Sequence, residues 1–385
     1  MKFRMIAGFA IFFIIYSLLV LYIGWNGWIW LDSAGSPMLP APLYGAIVFI
    51  LAFSYLLGRA KFRMPIFTII GSYWFGILQY ALLLLPPANL AGYILIETGL
   101  PSSKAIFWTG LFVLAAFSAI FVYGTFNAYS PVVRKYSITI PKQAGGRKKL
   151  KIAMASDMHF GNLSGIAHLR RLVEKANGIK PDIILLPGDI IEDDPEPFIR
   201  KKMGEVIKEL SAPLGVYGVL GNHEYYGRAI PEFVREMDKS GIQILQDEVV
   251  EIDESFFLAG RKDKTDKFRQ KLNDLLATAD PSMPIIMMDH QPAEVSIAAK
   301  NGVDLLLCGH THRGQMAPNH YITRKLFEID WGYLRKGDMH TIVSSGFGFW
   351  GPPLRLGSRS EIIEIDVMFA EEAEPDYNKN EGAIL

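Results

Sequence analysis

The stretch KIAMASDMH, residues 151–159, is a short apolar run that ends in a carboxylate and an imidazole two positions apart. Four later stretches are written the same way: DIILLPGD at 182–189, GVYGVLGNHE at 215–224, PIIMMDH at 284–290 and DLLLCGHTH at 304–312. Apolar runs of this length, bounded by Gly, Pro and Asp, read as buried strands. Residues 166–179, 198–210, 231–240 and 264–277 carry apolar side chains at helical spacing, and 242–245, 249–252, 256–260, 340–345 and 361–367 read as further strands. This alternation predicts an α/β domain of layered sheets covered by helices. In open α/β sheets the carboxyl ends of strands are where sites assemble, so the polar residues that follow the five runs are expected to meet in one crevice.

The residue types point to a metal centre. Asp157, His159, Asp189, Asn222, His290, His310 and His312 offer imidazole nitrogen and carboxylate or amide oxygen, which suits Mn, Fe or Zn. A calcium site is nearly all oxygen, and a structural zinc site uses thiolates. Asp157 and His159, read as extended, point the same way and can bind one ion; His310 and His312 share that spacing. Seven ligands exceed what one ion needs but suit two ions sharing a carboxylate, a standard arrangement for hydrolysing phosphate esters. Five of the eight histidines fall in these motifs, while His168, His320 and His340 read as surface or structural residues.

The ordered set Asp157-x-His159, Gly188-Asp189, Gly221-Asn222-His223-Glu224, His290 and Gly309-His310-x-His312 resembles the calcineurin-like metallophosphoesterase superfamily over residues 149–367. The resemblance implies that superfamily's α/β/β/α sandwich of mixed sheets. The chain is also similar to a bacterial branch of membrane-associated phosphodiesterases and UDP-diacylglucosamine pyrophosphatases, whose C-terminal signature resembles GFGFWGPPLR at 346–355. By resemblance, Asp157, His159 and His312 hold one divalent ion, Asn222, His290 and His310 a second, and Asp189 bridges both, with manganese the expected metal. His223 then faces the substrate as transition-state stabiliser or proton donor, and a metal-bridging hydroxide is the implied attacking group. Many relatives carry Asp three residues after the bridging Asp, where it can orient the catalytic His. This chain has Glu192 there, followed by Asp193 and Asp194, so Glu192 is the candidate for that supporting role. Arg313 and Arg355 are candidates for gripping a second phosphate, and aromatics within 325–335 and 347–350 offer apolar surface to a lipid tail. The expected function is a phosphodiesterase or pyrophosphatase acting on a lipid-linked or nucleotide-linked phosphoester. The alternative is a non-catalytic scaffold or sensor on the same fold.

The front of the chain is built for a different solvent. Residues 1–128 hold six basic and two acidic side chains and the remaining 257 hold 33 and 37, so the net charge of zero sums a +4 and a −4 segment. The balance excludes a strongly basic nucleic-acid binder, and no nucleic-acid partner is expected. Apolar runs at 5–23, 41–57, 65–85 and 105–126 are each long enough for a membrane-crossing helix. None has an ionisable residue well inside it, which reads as an anchor rather than an ion path. The first run is too long for an ordinary signal-peptide core and reads as a span. Lys2 and Arg4, then Arg59, Lys61 and Arg63, then the cluster from Arg134 to Lys149 all fall on one side. That asymmetry predicts a multi-pass protein of the cell membrane whose catalytic domain is cytoplasmic, with the last cluster held against the anionic inner leaflet. The expected domains are an anchor at 1–128, a basic juxtamembrane linker at 129–149, a catalytic domain at 150–368 and an acidic flexible tail at 369–385. Cys308, the lone cysteine, reads as a small buried hydrophobe.

Overall fold

The computed structural model describes residues 2–35, 40–58 and 64–370. The basic turn with Arg59, Lys61 and Arg63, the side chains of Lys2 and Arg4, and the acidic stretch 371–385 lie outside the described residues. The chain forms two compact units, one of residues 1–126 with 350–356 and one of 127–349 with the chain from 357 onward.

The first unit is built from helices α1 (Lys2–Ser33), α2 (Ala41–Gly58), α3 (Pro65–Glu97) and α4 (Ser102–Tyr129), all long and apolar enough to cross a membrane. Two of them outrun the apolar runs read from sequence by more than two turns. α1 continues past residue 23 through Trp25, Trp28 and Trp30, and α3 continues past 85 through Pro86 and Pro87. In an apolar medium an unwound turn leaves backbone groups unpaired, so helix persists even through proline where neighbours supply packing. Residues 350–356 pack with these helices: the Arg355 backbone N–H donates to the Gly124 carbonyl at 3.0 Å, and Leu354 lies over Gly76 and Gly124.

Among the described residues the second unit has twelve strands: β1 (Val132–Ile140), β2 (Lys149–Met154), β3 (Ile183–Pro187), β4 (Val216–Val219), β5 (Ile242–Ile244), β6 (Glu248–Ile252), β7 (Phe256–Gly260), β8 (Ile285–Met288), β9 (Leu305–Cys308), β10 (Gly332–Lys336), β11 (Met339–Val343) and β12 (Glu361–Phe369). They form two six-stranded mixed sheets, ordered β1-β12-β2-β3-β4-β5 and β10-β11-β9-β8-β7-β6. Because side chains alternate across a strand, each sheet feeds two layers. Ile152, Ile183, Leu185, Leu258, Ile286, Leu305 and Ile342 meet between the sheets. Ala153, Ile184 and Leu186 face helical residues Leu169, Leu172 and Phe233 on one outer side, and Met287 and Leu306 face Leu272, Val295 and Ala298 on the other. The result is the expected layered α/β sandwich.

Two expectations are corrected. Residues 129–149 are not a linker, because 132–140 form β1, which runs parallel to β12 from Val132 opposite Glu361 to Ile140 opposite Phe369. The alternation of Tyr136, Ile138 and Ile140 with Ser137 and Thr139 carries the strand, and the intervening basic residues mask it in a charge count. Residues 264–277 are not one helix; only Leu272–Leu275 is α-helical. The side chains of Asp263 and Asp266 accept from the backbone N–H groups of Thr265 and Phe268, and such local bonds compete with the helical ladder.

Ile140 is fully buried between the sheets, whereas Ser137 on the same strand is exposed. Ile140→Ala is expected to cost about 2–5 kcal/mol in chemical denaturation of the detergent-solubilised protein. Ser137→Ala should stay within about 0.5 kcal/mol of the parent.

Candidate metal centre

β2, β3, β4, β8 and β9 end in turns that carry Asp157, Asp189, Asn222 with His223, His290, and His310 with His312. Both sheets therefore contribute to one centre. The pairs Asp157/His159 and His310/His312 are not extended as read from sequence. Their φ angles are 52°, 46°, 72° and 49°, and Asp189 has 51°. Left-handed backbone at five non-glycine positions is uncommon, and such strain clusters at functional sites. Hydrogen bonds hold the turns in register: Asp157 N–H to Gly188 O at 3.0 Å, His159 N–H to Asp189 O at 3.0 Å and Gly309 N–H to His290 O at 2.9 Å. From the other side, the N–H groups of Phe347 and Gly348 donate to the carbonyls of Ser156 and Asp157, each at 2.8 Å. Gly221 and Gly309 are needed for close approach, since a Cβ on either would overlap the carboxylate of Asp189 or Asp157.

Among the described residues, the ligand atoms of Asp157, His159 and His312 lie within 4.8 Å of one another, as do those of Asp189, His290 and His310. Asp189 Oδ2 is 3.7 Å from His159 Nε2 and 3.1 Å from His290 Nε2, so it stands between the two groups. Asn222 Oδ1 joins the second at 3.2 Å from His290 Nε2 and 2.8 Å from His310 Nδ1. All seven sequence candidates are thus brought together.

The donor set fits divalent cations. His159 Nε2 faces His312 Nε2 at 3.0 Å, and buried His159 Nδ1 has no in-line hydrogen-bond partner although Glu192 Oε2 is 3.0 Å away. Imidazole nitrogens turned toward each other among carboxylate and amide oxygens present converging lone pairs, which a cation satisfies. His290 Nδ1–H donates to Pro187 O at 2.9 Å, which leaves Nε2 directed at Asp189 and Asn222. Fixing the tautomer of a ligand through its remote nitrogen is a general device of metal sites.

The electrostatics separate the roles. Burial works against the Asp189 carboxylate, but the charge and hydrogen bond of His290 and the charges of His223 and His159 hold its pKa well below the usual range. Burial and then the charge of His290 push His310 down to about 4, which keeps it a neutral ligand. His223 goes the other way. Burial opposes its charged form, yet the hydrogen bond from Nδ1–H to Asp193 Oδ1 at 2.7 Å and the charges of Asp189 and Glu192 raise its pKa to about 9. Its ring sits edge-on to His159 at 4.6 Å.

The supporting residue is Asp193. Glu192, the sequence candidate, lies against His159 instead, and Asp193, one position later at φ 51°, takes His223. Glu224 was also not singled out. Its two carboxylate oxygens accept from Gly221 N–H at 2.7 Å and Ile191 N–H at 3.0 Å and so tie the turns after β4 and β3 together. A Glu three residues after the first residue of a helix-opening turn is the sequence signal for such a clamp. Arg313 follows His312 and stacks its guanidinium 4.0 Å from the Trp331 ring centre. The Arg355 side chain is fully buried, and the residue belongs with the helical unit. His168, buried beneath Phe347 with ring centres 4.2 Å apart, and His340, bonded to Tyr333 Oη and Thr139 O, are structural. Cys308 is buried, as expected.

Residues 150–314 match the family described as calcineurin-like phosphoesterase. A metallophosphoesterase of Aquifex aeolicus is 33% identical over 257 residues, which cover 64% of this chain and 95% of that protein. A metallophosphoesterase of Helicobacter pylori is 32% identical over 229 residues, covering 57% of this chain and 60% of the relative. A Bos taurus relative named "Transmembrane protein with metallophosphoesterase domain" is 29% identical over 263 residues, covering 63% and 59%.

In the metal-free protein, His223 is expected to titrate near pH 9 by ring-proton NMR, and Asp193→Asn should move that titration toward the ordinary histidine value. Because the folded pKa lies above the unfolded one, the stability contributed by this pair is complete below about pH 6.5 and is lost as pH rises through about 9. Asp193→Asn should therefore destabilise the protein most on the acid side of that window.

Proposed function

We propose, starting from a chain that belongs to the calcineurin-like metallophosphoesterase family and is a metal-dependent phosphoesterase, that it is a membrane-anchored phosphodiesterase or pyrophosphatase acting on a lipid-linked or nucleotide-linked phosphoester. The observation that carries the reading is Asp189 standing between two histidine-containing donor groups, with His223 beside them and Asp193 on its Nδ1. Asp157, His159 and His312 would hold one divalent ion and Asn222, His290 and His310 a second, with Asp189 within reach of both groups. When bound, the ions supply positive charge to the non-bridging phosphate oxygens and lower the pKa of a coordinated water. Manganese is our expectation for the metal.

The chain's own chemistry centres on His223. As an imidazolium it has a proton to give to the leaving oxygen, and Asp193 on Nδ1 orients the ring so that Nε2–H is the donating edge. The Glu224 clamp and the hydrogen bonds from Phe347 and Gly348 hold the ligand turns against the repulsion of Asp157 and Asp189. The four apolar helices supply the anchor, and the basic residues flanking them favour a cytoplasmic catalytic domain.

Purified full-length protein loaded with manganese is expected to hydrolyse bis(p-nitrophenyl) phosphate and to stop when the metal is stripped by chelation. Asp189→Asn should remove nearly all turnover, and His223→Ala should lower kcat about 10²- to 10⁴-fold with metal content unchanged. Wild-type rates in both variants would sink the mechanism. The orientation has a separate check: a reporter fused after Leu385 should be active only in its cytoplasmic form, and an exported signal overturns the topology.

A further inference from the structure

Arg313 makes no direct ion pair among the described residues. Its guanidinium is half-buried, lies 4.0 Å from the Trp331 ring centre, and has no carboxylate within ion-pair distance among the described residues. A second guanidinium, that of Arg134, lies 4.9 Å from the same ring centre. Arg134 is held by Nε against the fully buried Glu361 at 2.5 Å, and Glu361 also accepts from Trp331 Nε1 at 3.1 Å and from Ser345 N–H at 2.7 Å. One buried carboxylate therefore positions both the indole and one of the cations. Burial and then the charges of Arg324 and Arg134 work against the Arg313 cation, and Asp330 and Glu361 oppose them only from beyond ion-pair distance, so a bound anion would find an unsatisfied guanidinium edge here.

The sheet register puts this cluster at the catalytic end of the fold. β12 runs antiparallel to β2, with Ile363 opposite Met154, so Glu361 lies toward the end of the sheet where β2 runs on to Asp157. β1 is parallel to β12, so Arg134 lies at that end too. The loop before β10 is fastened to the metal-binding turn: Thr311 Oγ1–H donates to Asp330 O at 2.5 Å, and Phe327 sits edge-on to His310 at 6.0 Å. Trp331 follows directly in that loop, and Arg313 is the residue next to His312.

We propose that Arg313, stacked on Trp331 and flanked by Arg134, is an anion subsite beside the metal centre that holds a second phosphate of the substrate, distinct from the phosphate undergoing hydrolysis. A guanidinium stacked on an indole has few rotamers left to lose and presents its N–H edge to a phosphate oxygen, which makes it a preorganised partner. The inference rests on the phosphoesterase reading for the identity of the first phosphate, but its test does not need turnover.

Binding of AMP, ADP and adenosine 3′,5′-bisphosphate to the manganese-loaded full-length protein, measured by calorimetry without excess free metal, separates the possibilities. ADP or the bisphosphate is expected to bind on the order of tenfold or more tightly than AMP, as for one charge-assisted contact. Preference for ADP identifies a phosphate joined to the scissile one, and preference for the bisphosphate identifies a separate phosphomonoester. Arg313→Ala should abolish that advantage while AMP binding and metal content stay within about twofold, and Arg313→Lys should restore part of it. An advantage that survives Arg313→Ala, equal weakening of AMP, or no advantage in the parent protein overturns the subsite. Failure to hydrolyse a simple diester with the binding pattern intact instead overturns the hydrolase reading alone.

Discussion

Two carboxylates, Asp157 and Asp189, are almost completely buried and face the same small space. Buried charge is tolerated only where partners replace the water it has lost, and two like charges side by side double that demand. The residues around them answer it. Asp189 has His290 at 3.1 Å, His159 at 3.7 Å and the His223 N–H at 3.0 Å, while Asp157 accepts from Ser156 Oγ–H at 2.5 Å and His310 N–H at 2.8 Å. A pair of divalent cations is the natural complement to this cluster, and metal that binds only the folded state stabilises it by mass action.

The same demand explains the backbone. Ligands reach the centre from turns after five strands in two different sheets, and left-handed residues at 157, 159, 189, 310 and 312 aim them inward. Each such residue costs on the order of 1 kcal/mol or more, which persists only because the surroundings over-determine it. The inter-turn hydrogen bonds and the Glu224 clamp are those surroundings. The glycines of the motifs have a steric purpose, since Gly221 and Gly309 leave the volume that the Asp189 and Asp157 carboxylates fill.

Much of the fold was legible because its signals are local. Short continuous apolar runs marked the central strands, the polar residues at their ends marked the ligands, and long uncharged runs marked the helices. What was missed depends on competition between local and distant partners. The residues of β1 look like a basic tether until Glu361 and Glu364 across the sheet pair with Arg134 and Lys135. The stretch 264–271 has helical spacing but gives its arginine to Asp289 and Glu294 and its backbone donors to aspartates. Glu192 and Asp193 are neighbours that motif spacing ranks in the wrong order, because a left-handed turn at 193 decides which carboxylate reaches His223.

By itself the sequence determined the kind of chemistry: seven nitrogen and oxygen donors after apolar strands, no thiolate framework, and a lipid-compatible front third. Donor type and hydrophobic period are properties of residues and short windows, so they survive without a structure. Only the tertiary structure decided that Asp189 stands between the two groups, that Asp193 rather than Glu192 supports His223, that Arg313 is stacked on Trp331, and that Arg355 is fully buried. Those assignments depend on distances between residues as many as 153 positions apart, as for His159 and His312, and such distances exist only once both sheets have formed.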